Sequence, residues 1–184
     1  DDQSDKQSYQ PIWLRINKAG SEEFFKDIVL CQQLPNLAGV LLAKAEQASD
    51  IESVHQLTSL PVIALIESAV GLYQIDSMAK VVGLVAFSYG FLDLCNDLRV
   101  QVGTPAADIV ANQIRYQFIL TSKVHQLSPP IDTIYPDFND EVEQHLTITD
   151  TGRVWFSRYI FGTGKHLLKE KMQIAIDGDV AKSI

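Results

Sequence analysis

Two carboxylates follow two short apolar stretches of this sequence. Glu67 comes directly after Val62–Ile66, and Asp93 comes a few residues after Val81–Phe87. Carboxylate oxygens with room for water are what Mg²⁺ prefers, commonly one or two per site with the other positions left to water and substrate. The two acids therefore predict a magnesium site, provided that the fold brings them together.

Two cations hold comparable positions earlier in the chain. Arg15 lies near the end of the stretch Pro11–Asn17, and Lys44 follows Leu37–Ala43. A charged group at the end of a buried strand is costly unless it faces a cavity or an opposite charge. We expect the acids and cations to converge on one rim, where an anionic substrate would be presented to Arg15.

The elements that must position these residues are predicted to be parallel strands joined by helices. Continuous apolar runs indicate strands that are covered on both faces, which is typical of parallel sheets. Glu67 and Asp93 are 26 residues apart, about the length of one strand-helix-strand crossover. In α/β folds ligands bind at the carboxyl ends of the strands, so the sequence predicts the site there.

Capping residues predict where three helices begin. Ser21 is the first N-cap, Ser49 with Glu52 has capping-box spacing, and Thr104 is followed by Pro105. The residues predicted to face inward are Phe24, Phe25, Ile28, Val29 and Leu34 in the first helix, Ile51, Val54 and Leu57 in the second, and Ala106, Ile109, Val110, Ile114 and Phe118 in the third. A brief helix is predicted around 72–79.

The pattern becomes weaker towards the end of the chain. Residues 131–138 predict a further strand, with Tyr135 and Asp137 at its rim. Beyond it, 147–159 has the pattern of a hairpin and 173–180 that of a final strand. We interpret residues 1–184 as a single domain with a weakly patterned C-terminal segment at 141–184.

Composition excludes several classes of protein. A chain of 184 residues, 46% hydrophobic and 21% charged, can bury one core. The net charge of −8 and the lack of a Lys/Arg cluster argue against nucleic-acid binding. Without a signal peptide or an apolar run of about 20 residues, we expect a cytoplasmic protein that does not enter the membrane. Cys31 and Cys95 are predicted to be buried free thiols.

Five motifs together resemble the family of citrate lyase beta subunits and HpcH/HpaI-type aldolases. They are I-W-L-R-I-N, L-L-A-K-A-E, I-A-L-I-E-S-A-V-G-L, G-F-L-D-L-C-N-D-L and P-P-I-D-T-I-Y-P-D-F. They follow the family's order and spacing from about residue 11 to 140. The resemblance implies an α/β fold of the TIM (β/α)₈-barrel type, a Mg²⁺ ion, and cleavage or formation of a carbon–carbon bond next to a carbonyl, often on a coenzyme A thioester.

The resemblance also assigns roles to individual residues. By position, Glu67 and Asp93 match the metal ligands, and Arg15 matches the catalytic cation that orients the substrate's oxygens. Lys44 matches the L-P-K-x-E position and is a substrate-binding candidate, although Ala43 stands where proline is usual.

The sequence departs from the family pattern at both ends. The family has two further strands, one with a D-L-E-D-like motif, before the position where this chain begins. The I-H-P motif expected on the late strand is replaced by a segment around Phe161–Lys169. We therefore expect an incomplete barrel, from a longer chain or one with segments left out, with a shortened relative as the alternative. Unpaired strand edges favour association, so we expect a homo-oligomer.

The expected function is Mg²⁺-dependent cleavage of a citryl-CoA-like or malyl-CoA-like 3-hydroxyacyl thioester to an acyl-CoA and an oxo acid. A class II aldolase acting on a pyruvate-derived hydroxy acid without coenzyme A is one alternative. A non-catalytic relative that acts as a partner protein is the other.

Structural roles remain open for the same residues. Glu67 could be a structural carboxylate, Arg15 could pair with a rim acid, and Asp93 could cap a helix that begins near Leu94. Asp97 is interpreted as a solvated helix residue. The histidines are interpreted as surface or satisfied side chains, at positions 55, 125, 145 and 166.

Overall fold

A computed structural model describes residues 12–133 and 173–175 of the chain. The strands in these residues are β1 (Ile12–Ile16), β2 (Leu37–Leu42), β3 (Val62–Ile66), β4 (Leu84–Tyr89) and β5 (Gln173–Ala175). The helices are α1 (Glu22–Gln33), α2 (Ala48–Thr58), α3 (Ala69–Tyr73), α4 (Ile75–Met78), α5 (Phe91–Asp97) and α6 (Pro105–Val124).

The five strands form one sheet in the order β4-β3-β2-β1-β5, and every pair is parallel. Helices connect β1 to β2, β2 to β3 and β3 to β4, as parallel neighbours require. The predicted α/β fold class, of the TIM-barrel type, is confirmed. The shared strand direction brings the carboxyl ends of β1 to β4 to one rim.

The sheet buries residues on both faces, which explains the continuous apolar runs. The helix-covered face carries the larger core, which includes Leu42, Ala64, Ile66, Phe87 and Phe118. The other face carries a smaller cluster of Leu41, Ile63, Leu65 and Ala86, with Trp13 packed against it. Side chains alternate between faces along a strand. Trp13 and Leu65 belong to the smaller cluster, and Arg15 and Glu67 come two residues after them. By this alternation, Arg15 and Glu67 lie on the same face as the smaller cluster.

Two of the three predicted helix starts are confirmed. Ser21 Oγ accepts a hydrogen bond from the Phe24 N–H, and the Thr104 side chain caps α6 before Pro105. The capping box predicted at Ser49 and Glu52 is wrong. Helix α2 begins at Ala48, and its box is formed by Gln47 and Asp50 instead.

The Asp50 carboxylate explains the earlier start of α2. Asp50 Oδ2 accepts hydrogen bonds from the backbone N–H groups of Glu46 (2.9 Å) and Gln47 (3.1 Å). An ionised carboxylate satisfies these donors well at the positive end of a helix. The helix start is therefore fixed by Asp50 rather than by a Ser hydroxyl.

The predicted inward faces of the helices are only partly correct. In α1 the buried residues are Phe24, Ile28 and Cys31, whereas Phe25 and Val29 are more than half exposed. In α6 the buried stripe is Ala107, Ala111, Ile114, Phe118 and Ser122, so Ala106 and Ile109 were wrongly assigned to it. Leu57 of α2 is also exposed. Each helix buries a narrower stripe than its apolar residues suggest.

Strand β4 begins three residues later than predicted. Gly83 adopts φ +99°, a conformation that favours glycine, and this turn delays the strand to Leu84. An added Cβ at Gly83 would lie 2.5 Å from His55 Cγ, so the turn also lies against α2. The strand then continues through Tyr89, two residues beyond the predicted end at Phe87.

The segment after α6 continues along β4. Ser128 N donates to Val85 O (2.9 Å) and Ile131 N donates to Phe87 O (2.8 Å), although residues 131–133 are not assigned as a strand. The predictions for 134–138 and 147–159 lie outside the described residues. Strand β5 begins where the final strand was predicted, at Gln173.

The thiols of Cys31 and Cys95 are buried and free, as predicted. Within the described residues, no helix combines the length and apolar character needed to span a bilayer.

Candidate functional site

Glu67 is the residue around which the rim is built. It directly follows β3 and is about 9% exposed. Its Oε2 accepts a hydrogen bond of 3.0 Å from the backbone N–H of Lys44, which lies just beyond β2. The carboxylate is thus held across the carboxyl ends of two neighbouring strands.

The pKa of Glu67 shows which charges surround it. Burial raises this pKa above the usual value for Glu, because the charged form loses hydration. The positive charge of Arg15 opposes that rise, and the negative charge of Asp93 adds to it. The structure therefore brings Arg15 and Asp93 within electrostatic range of Glu67.

Lys44 contributes to the site through its backbone and its charge. Its φ of +51° is uncommon for a residue with a side chain, and this turn aims the N–H at Glu67. Its charge also lowers the Glu67 pKa, as a smaller effect. The side chain is exposed, so the ammonium group is accessible from solvent.

Asp93 lies in the first turn of α5, two residues after the helix begins at Phe91. The alternative that it caps a helix beginning near Leu94 is therefore wrong, because Gly90 occupies the cap position. Acids in the first turn are favoured by the helix dipole. Asp93 is exposed and keeps its carboxylate accessible to a ligand.

Asp97 is an exposed residue of α5, as predicted, and it also makes a contact that the sequence did not suggest. Its Oδ2 accepts a 2.7 Å hydrogen bond from the backbone N–H of Ala69 at the start of α3. Residues four apart share one helix face, so this bond turns the Asp93 face of α5 towards the end of β3. A contact between residues so distant in sequence has no local signal that could have predicted it.

Glu46 forms a second polar cluster on the rim that the sequence analysis missed. Its Oε2 accepts from Lys18 Nζ (2.6 Å) and its Oε1 accepts from Ser68 Oγ (2.9 Å). The Lys18 hydrogen bond lowers the pKa of Glu46, with a smaller contribution from Ser68. The cluster joins the residues that follow β1, β2 and β3.

A buried network lies beside the end of β4. Asp132 Oδ1 accepts from Tyr89 OH (2.6 Å), and the Asp132 carboxylate accepts from Arg115 Nε at 3.1 and 3.2 Å. Burial, followed by the charge of Asp132, raises the pKa of Tyr89, so its hydroxyl remains a proton donor. The sequence predicts a strand at Asp132 and Thr133 and does not indicate this network.

Two histidines are satisfied by hydrogen bonds, as predicted. His55 Nδ1 lies 2.9 Å from Leu60 O, and His125 Nε2 lies 2.9 Å from Asp76 Oδ1. His145 and His166 lie outside the described residues.

The two carboxylates fit a divalent cation with an incomplete protein ligand set. No group of three or more His, Cys, Asp or Glu side chains suited to a metal occurs in the described ranges. Mg²⁺ is commonly bound by one or two carboxylates, with water and substrate completing the shell. Burial is the main cause of the raised Glu67 pKa and the negative charge of Asp93 adds to it, so a nearby divalent cation would oppose both effects.

A cavity of about 320 Å³ lies away from these acids, between α6 and residues 127–132. Its lining includes Tyr89, Arg115 and Asp132, but neither Glu67 nor Asp93. The chemistry of the rim therefore has to be sought outside this cavity.

Comparison with known proteins gives one family. The sequence profile of the HpcH/HpaI aldolase/citrate lyase family matches residues 3–150. No curated protein matches the chain.

Solved structures share the fold. The citrate lyase beta subunit of M. tuberculosis, complexed with oxaloacetate and magnesium, is 24% identical with a TM-score of 0.66, over 75% of this chain and 61% of that one. Protein CitE of the same organism, in complex with magnesium, acetoacetate and coenzyme A, is 24% identical with a TM-score of 0.66. The match covers 75% of this chain and 51% of that chain. RipC from Yersinia pestis is 20% identical with a TM-score of 0.67, and the match covers 94% of this chain and 74% of that chain. The chain spans about three fifths of the length of the first.

Proposed function

The chain belongs to the HpcH/HpaI aldolase/citrate lyase family, and from this membership we propose that it is a Mg²⁺-dependent carbon–carbon lyase. Its proposed substrate is a 3-hydroxyacyl-coenzyme A thioester of the citryl-CoA or malyl-CoA type. The M. tuberculosis relatives that were solved with magnesium, oxaloacetate, acetoacetate and coenzyme A support this choice.

Glu67 and Asp93 are the proposed ligands of the metal ion. Glu67 would be held for this role by the Lys44 N–H, and Asp93 by its place in the first turn of α5. When bound, a divalent ion supplies Lewis-acid stabilisation of negative charge that develops on substrate oxygens.

Arg15 and Lys44 are the proposed substrate-binding cations. The guanidinium of Arg15 can donate two parallel hydrogen bonds to a carboxylate, which orients as well as attracts it. Its charge acts on Glu67, so a carboxylate bound by Arg15 lies beside the acids. The exposed Lys44 ammonium adds a second positive charge to the same rim.

The proposed reaction is a retro-aldol cleavage. The bond between the α and β carbons of the thioester breaks, and its electron pair passes to the acyl fragment as an enolate. A general base takes the proton of the β-hydroxyl, which becomes the carbonyl of the oxo acid that Arg15 would hold. The enolate then takes up a proton to give the acyl-CoA.

The observation that carries this proposal is the environment of Glu67. A buried carboxylate beside a second acid is unfavourable unless it is compensated. Arg15 compensates in part, and a cation would compensate further. If Glu67 had only a structural role, the negative charge of the neighbouring Asp93 would disfavour its ionised form without any benefit.

The metal is tested by calorimetric titration of the metal-free protein with Mg²⁺. Wild type should bind, whereas Glu67→Gln and Asp93→Asn should each bind at least about tenfold more weakly, because a neutral amide is a poorer ligand for a hard cation. Glu52→Gln, an exposed acid on α2, is the matched control. Equal binding by wild type and Glu67→Gln would reject the site.

The substrate class is tested by coupled assays with Mg²⁺. Release of acetyl-CoA from citryl-CoA or malyl-CoA supports the proposed lyase. Cleavage of a pyruvate-derived hydroxy acid without coenzyme A would identify the aldolase alternative, and turnover of neither substrate would favour a non-catalytic relative. The cytoplasmic location and homo-oligomeric state remain predictions from the sequence, and light scattering of the purified protein checks the second.

A further inference from the structure

Asp132 is the acceptor at the centre of a buried network. Its side chain is 1% exposed, and it accepts hydrogen bonds from Tyr89, from Arg115 and from the Thr133 N–H at 2.9 Å. Arg115 lies on α6 and also donates to Asn112 Oδ1 (3.1 Å). One carboxylate therefore joins α6, the segment after it, and the end of β4.

The network adjoins the residues that border Glu67. Tyr89 is the last residue of β4, and the following Gly90 donates its N–H to Ile66 O at 2.9 Å. A Cβ at Gly90 would lie 2.8 Å from Glu67 Oε1. Fixing Tyr89 therefore fixes the backbone against which the Glu67 carboxylate lies.

Thr133 extends the same attachment to α5. Gly90 is the N-cap of α5 and has no side chain to accept a hydrogen bond from the first turn. Thr133 Oγ1 instead accepts from the N–H of Phe91, the first residue of α5, at 3.2 Å. A residue 42 positions away thus satisfies a helix donor that a local cap normally satisfies.

We propose that Asp132 and Thr133 are positioning residues, which hold the start of α5, and with it Asp93, in place relative to Glu67. The consequence for metal binding rests on the proposed function. The attachment itself rests on the hydrogen bonds alone.

The polar residues of this network suit the positioning of α5 better than a general increase in stability. A buried ion pair is often no more stabilising than apolar residues of the same shape. The directional bonds of a satisfied network do, however, specify one arrangement of the elements that it joins. Here one of those elements, α5, carries Asp93, and the residue that follows β4, Gly90, lies against Glu67.

Thr133→Val is the test, because it removes the hydroxyl and keeps the side-chain shape. Thr133→Ser restores the hydroxyl, and Thr58→Val is the matched control. Thr58 Oγ1 makes comparable hydrogen bonds, to Val54 O (2.7 Å) and from Leu60 N (3.1 Å), at the far end of α2. Two quantities are measured: the Mg²⁺ dissociation constant by calorimetry, and amide hydrogen exchange of residues 91–94 without metal.

Thr133→Val should exchange these amides faster and bind Mg²⁺ roughly 3- to 10-fold more weakly, the range expected for one lost hydrogen bond. Thr133→Ser should resemble wild type, and Thr58→Val should change neither quantity. If Thr133→Val does not fold, Tyr89→Phe removes the bond to Asp132 and is expected to act in the same direction.

Unchanged exchange at 91–94 in Thr133→Val, or a change no larger than in Thr58→Val, overturns the positioning role even if wild type binds Mg²⁺. Faster exchange in a protein whose wild type binds no Mg²⁺ supports the attachment and rejects the proposed function.

Discussion

The carboxyl group of Glu67 occupies the space that the absent side chain of Gly90 leaves open. An added Cβ at Gly90 would lie 2.8 Å from Glu67 Oε1 and 2.9 Å from Glu67 Cγ. Gly90 has φ −91°, which any residue adopts. The position therefore requires glycine for space and not for backbone conformation.

Gly90→Ala is expected to displace Glu67 while the protein stays folded. The atoms that must move belong to the Glu67 side chain, from Cγ to the carboxylate, and not to the backbone, so the loss of stability should be about 1–2 kcal/mol. Mg²⁺ affinity should fall roughly 10- to 100-fold, as for other changes that disturb the support of a metal ligand. Thermal unfolding and Mg²⁺ titration measure the two effects.

Gly71→Ala is the contrasting control for that experiment. Its added Cβ would lie 2.5 Å from the backbone oxygen of Ala45, which cannot rotate away. We expect the larger stability loss here, about 3 kcal/mol. If Gly90→Ala is the more destabilising of the two and still binds Mg²⁺ normally, the explanation for Gly90 is wrong.

Glu67 and Glu46 should affect stability with opposite dependence on pH. Burial raises the pKa of Glu67 from the reference value of 4.5, so the folded state holds this proton more tightly than the unfolded state. Stability due to Glu67 is therefore present below pH 4.5 and is lost as pH rises through the raised pKa. In metal-free protein, Glu67→Gln should gain stability relative to wild type over that interval.

The hydrogen bond from Lys18 lowers the pKa of Glu46 from 4.5, so the pH dependence of its contribution to stability has the opposite sign. Its contribution is present above pH 4.5 and is lost as pH falls through the lowered pKa. Glu46→Gln should therefore be less stable than wild type near neutral pH and approach it in acid. Thermal unfolding of the three proteins between pH 3 and 8 checks both signs, and parallel curves for the two variants would contradict them.

Asp97→Ala should loosen the contact between α5 and α3. The variant removes the carboxylate that accepts a hydrogen bond from the Ala69 N–H. This loss resembles the loss of a helix N-cap and should lower the free energy of unfolding by about 0.5–2 kcal/mol. We also expect weaker Mg²⁺ binding, because Asp93 shares this helix face. Asp108→Ala, which removes an exposed acid from the first turn of α6, is the control. Identical Mg²⁺ affinities for the two variants would show that α5 is positioned without Asp97.

Lys44→Ala should separate metal binding from substrate binding. The backbone N–H that holds Glu67 remains in the variant, so Mg²⁺ affinity should stay near that of wild type. KM for the anionic substrate should rise by up to about fivefold, as expected for an exposed charge. Steady-state kinetics and metal titration give the two values, and a large loss of Mg²⁺ affinity would show that the side chain supports the metal site.

The sequence predicted those parts of the fold that depend on local signals. Apolar runs located β1 to β3. Arg15 lies near the carboxyl end of β1, and Lys44 and Glu67 follow β2 and β3, as expected. The roles of Arg15, Lys44, Glu67 and Asp93 remain predictions. Residue spacing could not reveal that Asp97 contacts Ala69 or that Thr133 contacts Phe91, because both contacts depend on how distant elements are arranged.

The errors in the helices have a common physical cause. Phe25 and Ile109 are apolar and have helical spacing, yet both are exposed. Hydrophobic periodicity gives the direction of an apolar face, but the neighbouring elements decide how much of that face is covered. Likewise, Gln47 became the cap of α2 because Asp50 could bond two backbone donors, and not because of its intrinsic preference.

The pairing of β5 with β1 has a consequence for folding. Strands β1 to β4 each lie beside their neighbour in sequence, so their contacts close short loops and can form early. Ile12 pairs with Gln173, which closes a loop of about 160 residues. We therefore expect a nascent chain to assemble the Glu67 rim while it is still being synthesised, with the pairing of β5 as a late and slower event.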